Sequence, residues 1–576
     1  MKKTAGLLPF IVLHAVVLLA LAGFSWSQHR QQPLADIDLP PDGRIACVSY
    51  APHHKPGQAP FNADFHASHQ QVEEDLTALS HRFGCIRTYS VAQGLDQVPA
   101  IARTLGMKVI LGAWINADPT DTAKELAAAL RLANENTDVV RALIVGNEVM
   151  LRREQTQNGM LRLLKQAKAE SKVPITYADV WEFWEKNLPL ADEVDFATIH
   201  ILPYWEDKPV AIDDAVDHVA EVVEHMKPLF KKPLLIGETG WPSLGRQREG
   251  ALPSPVNQAR YVREFVTRAN QRGWDYNLIE AIDQPWKRRL EGTVGGYWGM
   301  LTADTLSEKF SLRGPMANRT DSTFHWAMGI GGAVLAWLVV LAARGRMPGL
   351  SATVASALLG GFTGLTMAFQ WQHMLDAYPG SLQLGIVSSL LLAAALAIGR
   401  ARPDLLSRAV RAGLAAIVVV LAVAMVATGS TVRDWFETTS LCLVTVLALA
   451  TAVLVARAIG STRTYDGNWL RLTEAVRFAV LFSAGVGSLL LWADSRYRDF
   501  PYWLYLVPAI EFALAWPLLA ARSALRAITP EEKALAVLIG LTAIGRLLPE
   551  PMNPQAVCWT LLGLLLAWIG LARRAA

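Results

Sequence analysis

Two glutamates end short apolar runs, Leu143-Ile-Val-Gly-Asn-Glu148 and Leu234-Leu-Ile-Gly-Glu238-Thr-Gly-Trp-Pro242. A strand that delivers a carboxyl at its C-terminal end is how a parallel barrel presents a catalytic acid. Two such carboxyls are what cleavage of a glycosidic bond requires, one to protonate the leaving oxygen and one ionised.

The elements that must position them follow from the spacing. A strand-helix-strand unit takes about 30 residues or slightly more, so Glu148 and Glu238 lie about three units apart, on the fourth and seventh strands of an eight-fold barrel. Six further apolar or β-branched runs supply the other strands: Arg44-Tyr50, Cys85-Ser90, Lys108-Trp114, Ile175-Val180, Val194-Leu202 and Tyr276-Asp283. Amphipathic stretches such as Thr122-Asn134, Met160-Ser171 and Asp213-Phe230 fall between them, the alternation expected of a parallel sheet. The expected fold class is therefore α/β, a (β/α)8 TIM barrel over residues 42–318, followed by an all-α polytopic membrane domain over 319–576. Residues 1–27 are read as an N-terminal transmembrane anchor and 28–41 as a linker.

On these residues the chain resembles glycoside hydrolase family 17, whose members act on β-1,3-glucans. Val145-Gly-Asn-Glu148-Val149 and Gly237-Glu-Thr-Gly-Trp-Pro-Ser243 look like its acid/base and nucleophile signatures, and Ile86-Arg87-Thr88-Tyr89, Tyr204 and Glu280-Ala-Ile-Asp283-Gln-Pro-Trp286-Lys287 are further matches. The resemblance covers the barrel only, and the layout of barrel plus membrane region resembles rhizobial proteins of periplasmic β-1,3/β-1,6-glucan synthesis. It implies Glu148 as acid/base and Glu238 as nucleophile of a retaining reaction, with transfer to a sugar acceptor or to water. Asn147 is expected to bind the sugar 2-hydroxyl, and Tyr204 to hold the nucleophile ionised by donating its phenolic proton. Trp241 and Trp286 are expected to face sugar rings, and Tyr50, Arg87, Asp283 and Lys287 to bind hydroxyls or orient carboxylates. Lys287-Arg288-Arg289 otherwise reads as a solvated basic run.

A net charge of +3 over 576 residues gives no general basic bias and no nucleic-acid partner. Phosphate-binding glycine loops and zinc-spaced Cys/His clusters are absent from the sequence, so no cofactor and no metal are expected; His53, His54, His66 and His69 read as a loop cluster. Cys47 and Cys85 would lie on neighbouring strands, where a disulfide is conceivable, but buried free thiols are the expectation.

Lys2-Lys3 precedes an apolar stretch of about 20 residues, long enough to span a bilayer. Beyond Asp321 long Leu/Ala/Val runs suggest about nine spans, near 324–343, 350–370, 381–399, 412–428, 438–456, 476–493, 502–521, 534–548 and 555–572. Arginines crowd alternate loops, such as Arg344/Arg346 and Arg457/Arg463/Arg471, which places those loops in the cytoplasm and the barrel in the periplasm of a Gram-negative inner membrane. Glu511 falls inside an apolar span, facing a polar path or hydrogen-bonded to a neighbouring helix. Trp371, Trp435, Trp492, Tyr502 and Trp503 read as an aromatic belt. The expected partners are β-1,3-glucan or a gluco-oligosaccharide, membrane lipid and a glucan synthase. A second function class, a glucan exporter with the barrel as binding domain, does not need both glutamates.

Overall fold

The computed structural model describes residues 7–375, 388–397, 406–428, 432–460, 467–493, 509–513 and 528–571. The chain divides into two compact units, Gln31–Met316 and Met1–Arg30 with Ala317–Ala576.

The first unit is a closed barrel of eight parallel strands in sequence order: β1 (Val48–Ser49), β2 (Cys85–Arg87), β3 (Lys108–Ala113), β4 (Val140–Asn147), β5 (Ile175–Val180), β6 (Ala197–His200), β7 (Leu234–Thr239) and β8 (Asp275–Leu278). Helices such as Pro119–Glu135, Gln157–Glu170, Ala215–Phe230 and Pro255–Arg272 surround it. Strand periodicity divides the apolar residues into two sets. Cys47, Cys85, Ile110, Ala142, Ile144, Ala178 and Leu235 form one cluster, while Val48, Ile86, Val109, Leu111, Leu143, Val145 and Ile236 join the helices in the large core. The first set fills the barrel interior and forms the floor beneath the site.

Cys47 and Cys85 are joined in a disulfide, which corrects the expectation of free thiols. The parallel pairing of Val48 with Ile86 brings the preceding residues of the two strands side by side, with Cα atoms 4.3 Å apart. The segment read as a linker is bound along the barrel. Gln32 bridges Met316, Ile37 is buried and hydrogen-bonded to Leu312, and Asp36 accepts from the Gly314 amide.

The second unit is helical. Its helices include Leu8–His29, Ser322–Arg344, Leu350–Leu375, Leu406–Thr428, Val432–Gly460, Gly467–Ala493, Pro530–Leu547 and Pro554–Leu571, and among the described residues five helices are long and apolar enough to cross a membrane. Of the expected span near 381–399 the residues Ser388–Ala397 are described and helical, whereas that near 502–521 lies mostly outside the described residues. Ser322–Arg344 and Leu350–Leu375 meet backbone to backbone: a Cβ on Gly360 would lie 2.0 Å from the Gly332 carbonyl oxygen, the close approach that small residues permit between membrane helices. Glu511 is buried and accepts a hydrogen bond from the Thr363 hydroxyl, so the helix-bonded alternative describes it. Trp371 and Trp492 are exposed, whereas the side chains of Trp435, Tyr502 and Trp503 lie outside the described residues.

Candidate active site

Both glutamates stand at the C-terminal mouth of the barrel, and for Glu238 simple alternation does not put it there. Along β7, Leu235 belongs to the interior cluster and Ile236 to the outer core, so a regular strand would turn Glu238 outward. The register shifts between Ile199/His200 and again between Ile236/Thr239. Beyond the shift Glu238 joins the site and Thr239 bonds Tyr261 on helix Pro255–Arg272. A comparable irregularity on β4, between Ile144 and Asn147, includes Gly146 at φ +86° and is followed by Glu148 at φ +53°. Re-aiming a side chain is a common use of such bulges beside active sites.

The two carboxylates are close. One donor atom each from Glu148, His200 and Glu238 lies within 4.8 Å of the other two. His200 Nδ1 is 3.0 Å from Glu148 Oε1, and its Nε2 is 3.7 Å from Glu238 Oε1. Arg87 Nη1 donates to Glu238 Oε1 at 2.9 Å and to the Gly237 carbonyl at 2.8 Å, and Tyr89 donates its hydroxyl to Glu238 Oε1 at 2.9 Å. Burial pushes the Glu238 carboxyl up, but His200, Arg87 and Lys287, with the Tyr89 hydrogen bond, outweigh it and hold Glu238 below the usual carboxylate value. The side chains differ in access, 23% exposed for Glu148 and 6% for Glu238. One carboxyl is open to the mouth, and the other is held ionised inside it.

Arg87 also donates to Asn147 Oδ1. A guanidinium only donates, so the amide oxygen must face it, which leaves the Asn147 NH2 as the group available to a ligand. Arg152 reaches back to the Asn147 and Ile115 carbonyls, and Asp179 accepts from the Val180 and Met150 amides and the Tyr177 hydroxyl. These bonds fix the β4 end that carries Glu148. Burial, with the nearby Glu148 charge, raises Asp179 to about 6 against the Tyr177 hydrogen bond, which lowers it.

Several expected site residues are engaged elsewhere. Tyr204 donates to the Arg246 carbonyl at 2.6 Å; a phenol has one proton, so the donor to Glu238 is Tyr89. Tyr50 is fully buried and donates to Asp75 at 2.8 Å. Trp241 is fully buried, its indole N–H on the Leu252 carbonyl, and has no face to offer a sugar. Asp283 receives Lys309 Nζ and the Gly299 amide, each at 2.8 Å, and so holds the loop after β8. Lys287 pairs with buried Glu280 at 2.5 Å, and Arg288 covers the Tyr297 ring; burial forces the pairing, so neither Lys287 nor Arg288 is simply solvated. The histidines of the loop cluster have separate partners, His53 with Gln93, His54 with Asp75 and His66 with the Ala67 carbonyl. Trp286 remains half-buried at the mouth, with the exposed Phe61 ring edge-on to it at 5.8 Å.

His200 and Tyr89 are the residues that sequence reasoning did not select. His200 ends β6 as the glutamates end theirs, and Tyr89 lies two and four residues beyond Arg87 and Cys85, on the same inward alternation. Glu148, His200 and Glu238 are also a donor set that a metal could use. The Arg87 guanidinium at 2.9 Å from Glu238 already supplies the positive charge there, and a second cation would be repelled.

Residues 47–299 match the sequence model of the BtgE/BtgC glycoside hydrolase domain. The chain is 29% identical over 266 residues to a glucan 1,3-beta-glucosidase of Arthroderma benhamiae, covering 43% of this chain and 84% of that protein. It is 24% identical over 271 residues to a glucan 1,3-beta-glucosidase of Saccharomyces cerevisiae, covering 42% and 85%. Among solved structures it is similar to a glycoside hydrolase family 17 beta-1,3-glucanosyltransferase from Rhizomucor miehei, at 26% identity, 48% and 99% coverage and a TM-score of 0.42. With its paired glutamates at the mouth of an eight-stranded barrel, the segment 47–299 is thus similar to the BtgE/BtgC glycoside hydrolase domains.

Proposed function

We propose that this chain is a membrane-anchored, retaining β-1,3-glucan enzyme that transfers the cleaved glycosyl unit to a sugar acceptor or to water. The observation that carries this reading is the separation of Glu148 and Glu238, whose nearest oxygens lie within 4.8 Å. Retaining enzymes hold their carboxyls about 5–5.5 Å apart, whereas inverting ones leave room for a water at about 6.5–9.5 Å. Glu238 attacks the anomeric carbon as the bond to the leaving oxygen breaks, and Glu148 gives that oxygen its proton. In the second step Glu148 takes the proton of the incoming hydroxyl, whose oxygen bonds the anomeric carbon and releases Glu238 as carboxylate. Asn147 offers its NH2 to the 2-hydroxyl, while Trp286 and Phe61 offer apolar faces to sugar rings. The names of the relatives, glucan 1,3-beta-glucosidases, support the glucan as substrate.

The Cys47–Cys85 disulfide supports an oxidising compartment and, with the arginine asymmetry of the loops, a barrel in the periplasm of an inner-membrane protein that acts in glucan synthesis or remodelling beside a glucan synthase. β-1,6 linkages are the expected new bonds. The test is to incubate the soluble unit Gln31–Met316, cut so that the Gln32–Met316 bridge is kept, with one β-1,3-gluco-oligosaccharide. Products longer than the substrate, resolved by mass spectrometry and linkage analysis, are expected early. Exclusively shorter products at millimolar donor would make the enzyme a plain hydrolase, and no products at all would remove the assignment.

A further inference from the structure

His325, in helix Ser322–Arg344, is fully buried, and neither of its ring nitrogens makes a hydrogen bond. An imidazole in that state is costly. The ring of His29, at the end of helix Leu8–His29, lies 4.9 Å away between centroids. Asp321 completes the group, with Oδ1 3.3 Å from His29 Nε2 and 4.0 Å from His325 Nδ1. One donor atom from each of the three lies within 4.8 Å of the other two.

The tautomer of His29 is set by its other neighbour. Its Nδ1 is 2.7 Å from the Ser25 carbonyl oxygen, which can only accept, so Nδ1 carries a proton. In the neutral ring Nε2 is then a lone pair facing a carboxylate oxygen, and two acceptors at 3.3 Å repel unless a cation lies between them or the ring takes a second proton. A backbone carbonyl that fixes one nitrogen so that the other can ligate is the usual support of a metal-bound histidine. Two imidazoles and a carboxylate, with water in the fourth position, suit tetrahedral Zn²⁺. At Zn–N distances of about 2.0–2.1 Å neighbouring donors stand roughly 3.3 Å apart, so the His29–Asp321 spacing already fits, and His325, 4.0 Å from Asp321, must move closer to ligate.

We infer that His29, Asp321 and His325 form a divalent transition-metal site, filled best by Zn²⁺, that ties the helix from which the chain leaves for the barrel to the helix on which it returns. The Arg319 amide already donates to the Gln28 carbonyl at 3.0 Å, which brings the two ends together before any metal binds. A clip across so long an excursion of chain gains from the loop it closes. The competing arrangement is an ion pair of doubly protonated His29 with Asp321.

The experiment measures Zn²⁺ content and affinity of the full chain in detergent by elemental analysis and chelator competition, with Co²⁺ absorption reporting the geometry. About one metal per chain is expected. His325→Gln and, at a partly exposed residue, Asp321→Asn should each weaken binding at least ~100-fold and abolish the tetrahedral Co²⁺ bands. Because Glu148, His200 and Glu238 also cluster, Glu238→Gln is the control and should leave Zn²⁺ binding unchanged. Absence of binding at micromolar Zn²⁺ overturns the site in favour of the ion pair. Binding that survives both His325→Gln and Asp321→Asn, or that disappears with Glu238→Gln, also overturns it.

Discussion

Glu238 is held by three kinds of group at once, a guanidinium, a phenol and an imidazole, and each makes a separable contribution. Replacing Glu238 with Gln removes the nucleophile and should lower turnover of unactivated glucan by at least about 10⁴-fold. Glu148→Gln should spare the first step on substrates whose leaving groups need no proton, and wild-type rates on β-1,3-gluco-oligosaccharides in either variant would refute the assignment. Tyr89 donates across the whole working range, since burial and the Glu238 charge hold its phenol well above the ordinary value. A hydrogen bond to a charged group is worth about 1.5–3 kcal/mol, so Tyr89→Phe should reduce kcat/KM by about 10–100-fold. Because the Glu238 value lies below the usual carboxylate range, the ionised nucleophile persists as pH falls until that depressed value is crossed. Removing a donor raises it, so the acid limb of the kcat/KM profile should move to higher pH in Tyr89→Phe; an unmoved limb would show that the phenol does not set the ionisation of Glu238.

At the scale of elements, the β1 and β2 pairing has consequences for both the floor and the site. The same alternation that aims Cys85 into the interior aims Arg87 and Tyr89 at Glu238. The disulfide spans a separation of 38 residues, so Cys85→Ala should destabilise the isolated barrel by about 2–4 kcal/mol, read from its urea midpoint. The barrel should remain folded, since its core extends around all eight strands. No loss of stability would mean that the thiols are reduced in the native protein. The register shifts on β4 and β7 have the opposite logic, in that they weaken regular pairing where side chains must be turned toward the mouth.

The whole molecule joins a barrel to a helical unit rich in apolar helices, and orientation is the property that joins their functions. A phosphatase reporter active only outside the cytoplasm should work when fused after Arg319 and fail when fused after Arg346, beyond helix Ser322–Arg344. The reverse pattern would put the barrel in the cytoplasm, where neither a persistent disulfide nor a periplasmic substrate is available.

The eight-fold repeat and the strands that carry Glu148 and Glu238 were legible in the sequence because apolar runs and the roughly 30-residue period are local signals, whereas several strands are shorter than the runs, Val48–Ser49 within Arg44–Tyr50 and Ala197–His200 within Val194–Leu202. Ile175–Val180 and the beginnings of β3 and β7 agree with the structure to the residue. The apolar runs behind Leu8–His29 and Ser322–Arg344 were equally plain, since length and hydropathy alone make a helix able to span a bilayer. Partnership was not legible. Whether Tyr89 or Tyr204 reaches Glu238, and whether Trp241 faces a ligand or the core, depends on which strands lie opposite one another and on bulges that leave no mark in composition. His200 was hidden for the same reason, because a histidine at a strand end means little until the closed barrel sets the glutamates at the ends of the fourth and seventh strands within reach of it. Sequence determined the elements and the two carboxyls; only the closed tertiary structure decided their neighbours, since those contacts join residues far apart in the chain, His200 to Glu238 across 38 positions and Arg87 to Glu238 across 151.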